Sequence, residues 1–242
     1  MTTEQLQAEC ERGQAQLMRM EYLQAEKTLA DAERQAWANR DWDALSRLYM
    51  PLQEARRQRR QRAGEGVVCL DLLADAPGDI VDPRHVVQNF SHGQLLVGGW
   101  GTIAPAIKVR ELAAEHGLFL DTFLAASFPT ETGPVTAIIP LPETRLPEPI
   151  VRPMDELQKL LPAFGLILRD GELPKGSQAG TWKIYGQVMA LWERLHTPFL
   201  AAADAQADPI QKMEGYRTAI RVDYACELAH QKLSDVARSL GR

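Results

Sequence analysis

The chain has little of what marks a secreted, membrane-spanning or metal-clamped protein. Three cysteines occur in 242 residues, Cys10, Cys69 and Cys226; they are odd in number, far apart, and none forms a C-x-x-C. Spacing therefore indicates neither a zinc cluster nor a redox pair, and reduced thiols are expected. No stretch approaches the roughly 20 apolar residues needed to span a bilayer. The longest candidate, residues 118–128, is interrupted by Asp121. The start, Met-Thr-Thr-Glu-Gln-Leu-Gln, lacks the basic region and apolar core of a secretory signal, so a cytoplasmic location is expected. Basic side chains are outnumbered, 27 to 32, for a net charge of −5, which argues against a nucleic-acid coat or a polybasic membrane clamp. G-x-G-x-x-G, the phosphate-loop pattern and G-x-S-x-G are missing, and the five histidines are scattered. No catalytic constellation follows from spacing, and no cofactor or metal is expected.

What is present is an ordinary globular composition, 45% hydrophobic and 24% charged. Residues 3–62 read as two helices. Met18, Tyr22, Ala25, Leu29, Ala32 and Ala36 form one helical stripe; Asp41 caps a second helix whose face carries Trp42, Leu45, Tyr49 and Leu52. Two such stripes pack as an αα-hairpin.

In the middle, residues 66–73 (GVVCLDLL) read as a buried strand, Asp82-Pro83 opens a short helix to Asn89, and His92-Gly93 is a turn. Residues 94–98 form a second strand, 105–116 a helix ended by Gly117, and 118–128 and 135–140 two further strands. Strand and helix in alternation predict a parallel sheet covered by helices. Seven prolines between 129 and 153 predict an extended connector, residues 155–161 a short helix, and Asp170-Gly171 the turn of a hairpin over 166–173.

The end is helical again. Trp182, Tyr185, Met189, Trp192, Leu195 and Phe199 share one face, and Asp208-Pro209 opens a last helix to Leu240. The expected fold is therefore α/β: a small, mainly parallel sheet flanked by N- and C-terminal antiparallel helical hairpins. Its expected parts are residues 1–64, residues 65–176 with the proline-rich connector, and residues 177–242. Their net charges are +1, −7 and +1, so the α/β part is the acidic one.

Three groups of residues invite chemistry. Val97-Gly98-Gly99-Trp100-Gly101-Thr102 ends a strand and opens a helix, where backbone amides favour an anion. Gly98, Gly99, Gly101 and Thr102 are the candidate ligand-binding residues, with Thr102 capping the helix or bonding a phosphate. Asp71, Asp75, Asp79, Asp82 and His85 are potential ligands for a hard cation. Asp82 also reads as an N-cap, Asp75 and Asp79 as turn residues, and Asp71 as a carboxylate buried in an apolar strand and needing a partner. Arg56, Arg57, Arg59, Arg60 and Arg62 read as a solvated helix end complementing its dipole, with no stacking aromatics to suggest nucleic acid. His196 and His230 read as core or boundary residues.

The stretch His92-Gly93-Gln94-Leu95-Leu96-Val97-Gly98, its glycine loop, the helix from Ala106 to Gly117 and the following strand resemble the core of the sugar isomerase (SIS) domain family. That likeness implies a phosphosugar-binding α/β unit. Gly98, Gly99 and Trp100 stand where that family carries serines, leaving Thr102 to serve. Trp42-x-x-Leu45-Ser46-x-x-Tyr49, with Ala25, Leu29 and Ala32 before it, is similar to the helix pairs of tetratricopeptide repeats. Two functions of different class follow. The first is a non-enzymatic interaction or oligomerisation module, with a protein partner or a second copy bound through the helical hairpins. The second is a protein binding a phosphorylated sugar or nucleotide at residues 98–102.

Overall fold

The computed structural model describes residues 3–169 and 171–241. Among them the chain runs α1 (Thr3–Met18), α2 (Tyr22–Ala38), α3 (Trp42–Gly64), β1 (Val67–Leu73), α4 (Pro83–Asn89), β2 (His92–Trp100), α5 (Ala104–Glu115), β3 (Phe119–Thr130) and β4 (Gly133–Ile138). It continues through α6 (Met154–Leu160), β5 (Leu166–Leu168), β6 (Ser177–Ala179), α7 (Trp182–Asp204), α8 (Pro209–Val222) and α9 (Glu227–Leu240). The protein is α/β. It divides into a helical unit, made of the chain up to Gln61 together with His196 onward, and a sheet unit, Arg62–Leu195. The division falls inside α3 and α7. Residues 177–195, grouped by sequence with the C-terminal hairpin, thus lie in the sheet unit.

In the helical unit the first 62 residues make three helices where the hydrophobic pattern suggested two. The missed break lies at residues 19–21. Met20 adopts a left-handed φ of 60°, and the Glu21 N–H reaches back to the Gln16 carbonyl at 3.0 Å. Twenty residues later the same turn recurs, with Arg40 at φ 53° and the Asp41 N–H on the Ala36 carbonyl at 2.9 Å. Left-handed helix ends usually carry glycine; methionine and arginine give no such cue. Gly13 matters for a different reason: a Cβ there would lie 2.5 Å from Leu29 Cγ, so its absence lets α1 close on α2.

The expected stripes are used up in this unit's own core. Leu29, Leu45, Tyr49 and Leu52 are almost fully buried in one cluster with Met213, Tyr216, Ala229 and Leu233. Met18, expected on the stripe, is exposed. Asp208 caps α8 by accepting the Gln211 N–H at 2.8 Å, as its Asp-Pro signature predicts. The last helix is two, because Asp223 ends α8 and α9 starts only after Cys226.

In the sheet unit the strand order is β5-β4-β3-β2-β1-β6. β1, β2 and β3 are parallel neighbours, whereas β4, β5 and β6 join antiparallel. Every residue of β2 from Gly93 to Gly99 is buried, as expected for a strand covered on both faces. On one face Leu95, Val97, Leu120 and Leu124 pack with Val86 of α4 and Ala106 and Val109 of α5. On the other, Trp192 of α7 stacks on Phe123 with ring centroids 3.9 Å apart.

Three local expectations are corrected. His92 and Gly93 belong to β2, paired with Phe119 and Leu120 of β3, and form no turn. Pro129 and Pro134 are not in a connector; they sit opposite one another in the β3–β4 hairpin. Neither has an N–H, so both fit a pair position that exchanges no ladder bonds. Residues 166–173 do not form a hairpin, because β5 pairs with β4. Asp170 of the expected turn lies outside the described residues.

Candidate functional site

The glycine loop forms the expected strand-to-helix junction between β2 and α5. Gly98 and Gly99 are buried in the last part of β2, and Gly101 follows at φ +65°, a conformation that favours glycine. The loop's amides find partners within the loop and on β3. Gly99 N–H donates to the Thr102 carbonyl at 2.9 Å, Gly101 N–H to the Ser127 carbonyl at 2.8 Å, and Ala104 N–H to Thr102 Oγ1 at 3.1 Å. The N-cap of α5 is Ile103, which makes no side-chain cap bond; Thr102 lies one residue earlier, and its exposed side chain takes up only the Ala104 N–H. Over Gly101 lies Pro149 of the connector, whose ring atoms would be 2.7–2.9 Å from a Cβ added there. The parallel strands run in unbroken order β1, β2, β3, so the reversal that opens a crevice in doubly wound sheets does not occur at this loop.

The acidic residues do not converge. Among the described residues no three His, Cys, Asp or Glu side chains are grouped to hold a metal ion. Asp82 caps α4 by accepting the Arg84 N–H at 2.9 Å, and Asp79 accepts the Ala76 N–H at 2.9 Å. Asp71 is exposed, not buried. Its strand shifts register between Cys69 and Leu72, and this bulge re-aims the carboxylate toward the Gly176 N–H at 2.6 Å.

The arginine run is where structure departs furthest from expectation. Arg57 and Arg62 pair along the surface with Glu54 and Glu65. Arg56, Arg59 and Arg60 instead turn inward. Arg56 Nε and Arg59 NH1 grip the two oxygens of Glu26 at 3.2 and 2.8 Å, and Arg60 NH1 reaches Asp223 Oδ1 at 2.8 Å. Burial alone would raise the carboxyl pKa of Glu26, but Arg59 and Arg56 hold it below the usual range. Asp223 is held low in the same way, burial being outweighed by Arg60 and His196.

Around Asp223 a compact set of reactive groups assembles. His196 Nδ1 lies 2.7 Å from Asp223 Oδ2, at the turn that the Cys226 N–H closes on the Asp223 carbonyl. Burial disfavours the imidazolium, but Asp223 and Cys226 together push the His196 pKa up to about 9. His230, one turn into α9, behaves oppositely. Its Nδ1 lies 2.8 Å from the Cys226 carbonyl and its Nε2 3.0 Å from Arg56 NH1. A carbonyl only accepts and an arginine only donates, so the ring is neutral with its proton on Nδ1. Burial and Arg56 lower its pKa to about 3.

Sequence reasoning missed this cluster because Arg56, Arg60 and His196 lie far along the chain from the turn that carries Asp223 and Cys226. One signal was available: Asp223 and Cys226 flank a break in the helical pattern, next to the aromatic Tyr224, over whose ring Arg59 stacks at 4.3 Å.

Together these features define an α/β protein with a separate helical unit in which charged groups form part of the interior. No family model matches the chain, and no curated protein or solved structure shows significant similarity to it. Among the described residues no helix is long and apolar enough to cross a membrane.

Proposed function

We propose that this protein is a non-enzymatic interaction module whose partner is a second copy of itself, bound through residues 150–168 of the sheet unit. The observation that supports this reading is a concentration of bare apolar side chains. Ile150, Val151, Met154, Leu160 and Phe164 are between 38% and 65% exposed within fifteen residues. They lead directly into β5, an edge strand of sequence Leu-Ile-Leu that pairs on one side only. The opposite edge, β6, is Ser-Gln-Ala. An apolar edge strand offers main-chain bonds and side-chain burial together, which is what strand addition requires.

Charge favours a second copy as the occupant. Residues 65–150 carry −7, but residues 150–168 hold Arg152 and Lys159 against Asp155 and Glu156, so the segment is neutral. Two copies meeting there bring no like-charged blocks together. Antiparallel pairing of β5 with itself gives a closed two-fold dimer centred on Ile167. The helical stripes do not serve this role, since they are buried within their own unit.

Light scattering over a concentration series tests the proposal. A mass twice the 27.0 kDa of the chain is expected. Leu160→Glu with Phe164→Glu, both at exposed positions, should return the monomer mass. A wild-type monomer at about millimolar concentration would overturn the reading, since specific dimers are far tighter than that.

A further inference from the structure

We infer that Phe164 is the anchor of the self-association surface: a strained backbone turn holds it outward beside β5, where a second copy buries its ring. The inference rests on the dimer proposed above and assigns one residue within it. Among the described residues three that are not glycine have a left-handed backbone, Met20, Arg40 and Phe164. The first two follow α1 and α2, where that conformation lets the following N–H reach back to the helix, and both have unbranched side chains. Phe164 ends no helix, since α6 stops at Leu160 and Leu161 caps it in an extended conformation. A bulky residue at φ 65° is a backbone outlier, kept only where its surroundings impose it, and such outliers gather at functional positions.

The turn itself does not call for an aromatic residue. Gly165 N–H donates to the Pro162 carbonyl at 2.9 Å, which makes residues 162–165 a four-residue turn with Phe164 third. A left-handed third position ordinarily carries glycine or asparagine. Glycine stands instead at 165, where a Cβ would lie 3.1 Å from the Pro162 carbonyl oxygen. Glycine at 164 would also close the turn, and without strain. What phenylalanine adds is a ring, and the residue is left 44% exposed. The segment has other anchors to its own unit, since Leu157, Leu161 and Leu168 are buried.

The place of the residue fits a second copy. β5 supplies 3 residues, too few for main-chain pairing alone to hold two chains together. Phe164 comes just before that strand. Antiparallel pairing centred on Ile167 sets one Phe164 on each side of the two-fold axis, within about 10 Å of it. Each then stands at one end of the paired strands, where it adds apolar burial to the main-chain bonds. Interfaces are enriched in aromatic side chains, and a few buried ones carry most of the binding energy. Phe164 is the one aromatic residue among the bare apolar side chains of this segment, beside Ile150, Val151, Met154 and Leu160.

Phe164→Gly removes the ring and the strain together, so association and stability should move apart. Sedimentation over a dilution series measures self-association, and thermal melting is followed at a dilution where the wild type is monomeric. Phe164→Gly should weaken self-association by about tenfold or more, as loss of an interface anchor does. It should melt no lower than the wild type, because relief of strain offsets the added freedom of the unfolded chain. Phe164→Asn, which also tolerates the left-handed region, should behave alike and serves where glycine loosens the turn. Leu160→Ala, at a residue 47% exposed on a regular helix, should weaken association less. An unchanged dissociation constant in Phe164→Gly overturns the anchor and leaves the dimer standing, as does a larger loss in Leu160→Ala. Monomers that melt several degrees lower in both Phe164 variants assign the ring to the fold and overturn it as well. A wild type that is itself monomeric at about millimolar concentration fails the dimer reading, and the anchor with it.

Discussion

The two units bury polar groups by different means, ion pairs in the helical unit and an amide-linked ladder ending on one carboxylate, Asp121, in the sheet unit. The helical unit places charge inside: Glu26 between two arginines, Asp223 between Arg60 and His196, and Glu33 between Tyr49 and Arg217. In the sheet unit a short ladder runs Trp192 Nε1 to Gln94 Oε1 at 3.2 Å and Gln94 Nε2 to Asp121 Oδ2 at 2.8 Å, beneath the stacked Phe123. A sheet aligns its strands through the backbone and needs few side chains to set register. Helices have no such ladder between them and can slide or rotate. We read the buried pairs as what fixes α2, α3, α8 and α9 in one arrangement, the role best attested for buried polar groups.

The contrast has a measurable consequence. Asp223→Ala removes one acid and strands two groups, Arg60 and His196, in the interior. Breaking a buried pair from one side costs about 3–5 kcal/mol, mostly the desolvation of the charge left behind. In the sheet unit, Trp192→Phe keeps an aromatic ring against Phe123 but removes the N–H donated to Gln94 and part of the buried ring, which together should cost about 2 kcal/mol. Urea unfolding of the two variants, monitored by circular dichroism, measures both. Equal losses would erase the distinction between the units.

Titration probes the helical unit further. The His196 pKa is raised to about 9 when folded, so its protonated form is the stabilising one. That contribution is complete below the unfolded pKa of about 6.5 and is lost as pH rises toward 9. His230, lowered to about 3, is the reverse: folding favours the neutral ring. Its contribution is present above about pH 6.5 and drains away as pH falls toward 3. Glu26 and Asp223, both held low, add a loss below about pH 4. Stability should therefore fall on both sides of neutrality. In His196→Gln the alkaline fall should flatten while the acid fall remains. An unfolding midpoint independent of pH between 6.5 and 9 in the wild type would contradict the His196–Asp223 pairing.

The same contrast explains what could be read from the sequence. The sheet unit was legible because its signals are local. Apolar runs, Asp82-Pro83 and Gly117 placed β1, α4, β2, α5 and β3 within a few residues of their ends, and the parallel order followed from alternation. Its misses were also local, such as the bulge that turns Asp71 outward and the paired prolines of β3 and β4. The helical unit was legible only as stripes. Its left-handed turns at Met20 and Arg40 carry no glycine, and its inward arginines looked like a solvated run because Glu26 and Asp223 lie far away in the chain. The candidate loop at 98–102 was placed correctly as a strand-to-helix junction. That its amides are bonded within the loop and to β3, and that Pro149 covers Gly101, depend on residues the local pattern does not contain.

The smallest expected effect is the one the two units should share. Each contains an Asp-Pro helix start, Asp82-Pro83 in the sheet unit and Asp208-Pro209 in the helical unit. In both, the aspartate accepts a backbone N–H of the first turn, at 2.9 Å from Arg84 and 2.8 Å from Gln211. Loss of such a cap costs about 1 kcal/mol and depends on the helix start, not on what the helix packs against. Asp82→Ala and Asp208→Ala should thus shift the urea midpoint by similar small amounts, although α4 has 7 residues and α8 has 14. If Asp208→Ala costs several times more, the helical unit amplifies even local losses. Its buried charges would then act as one cooperative network, not as separate pairs.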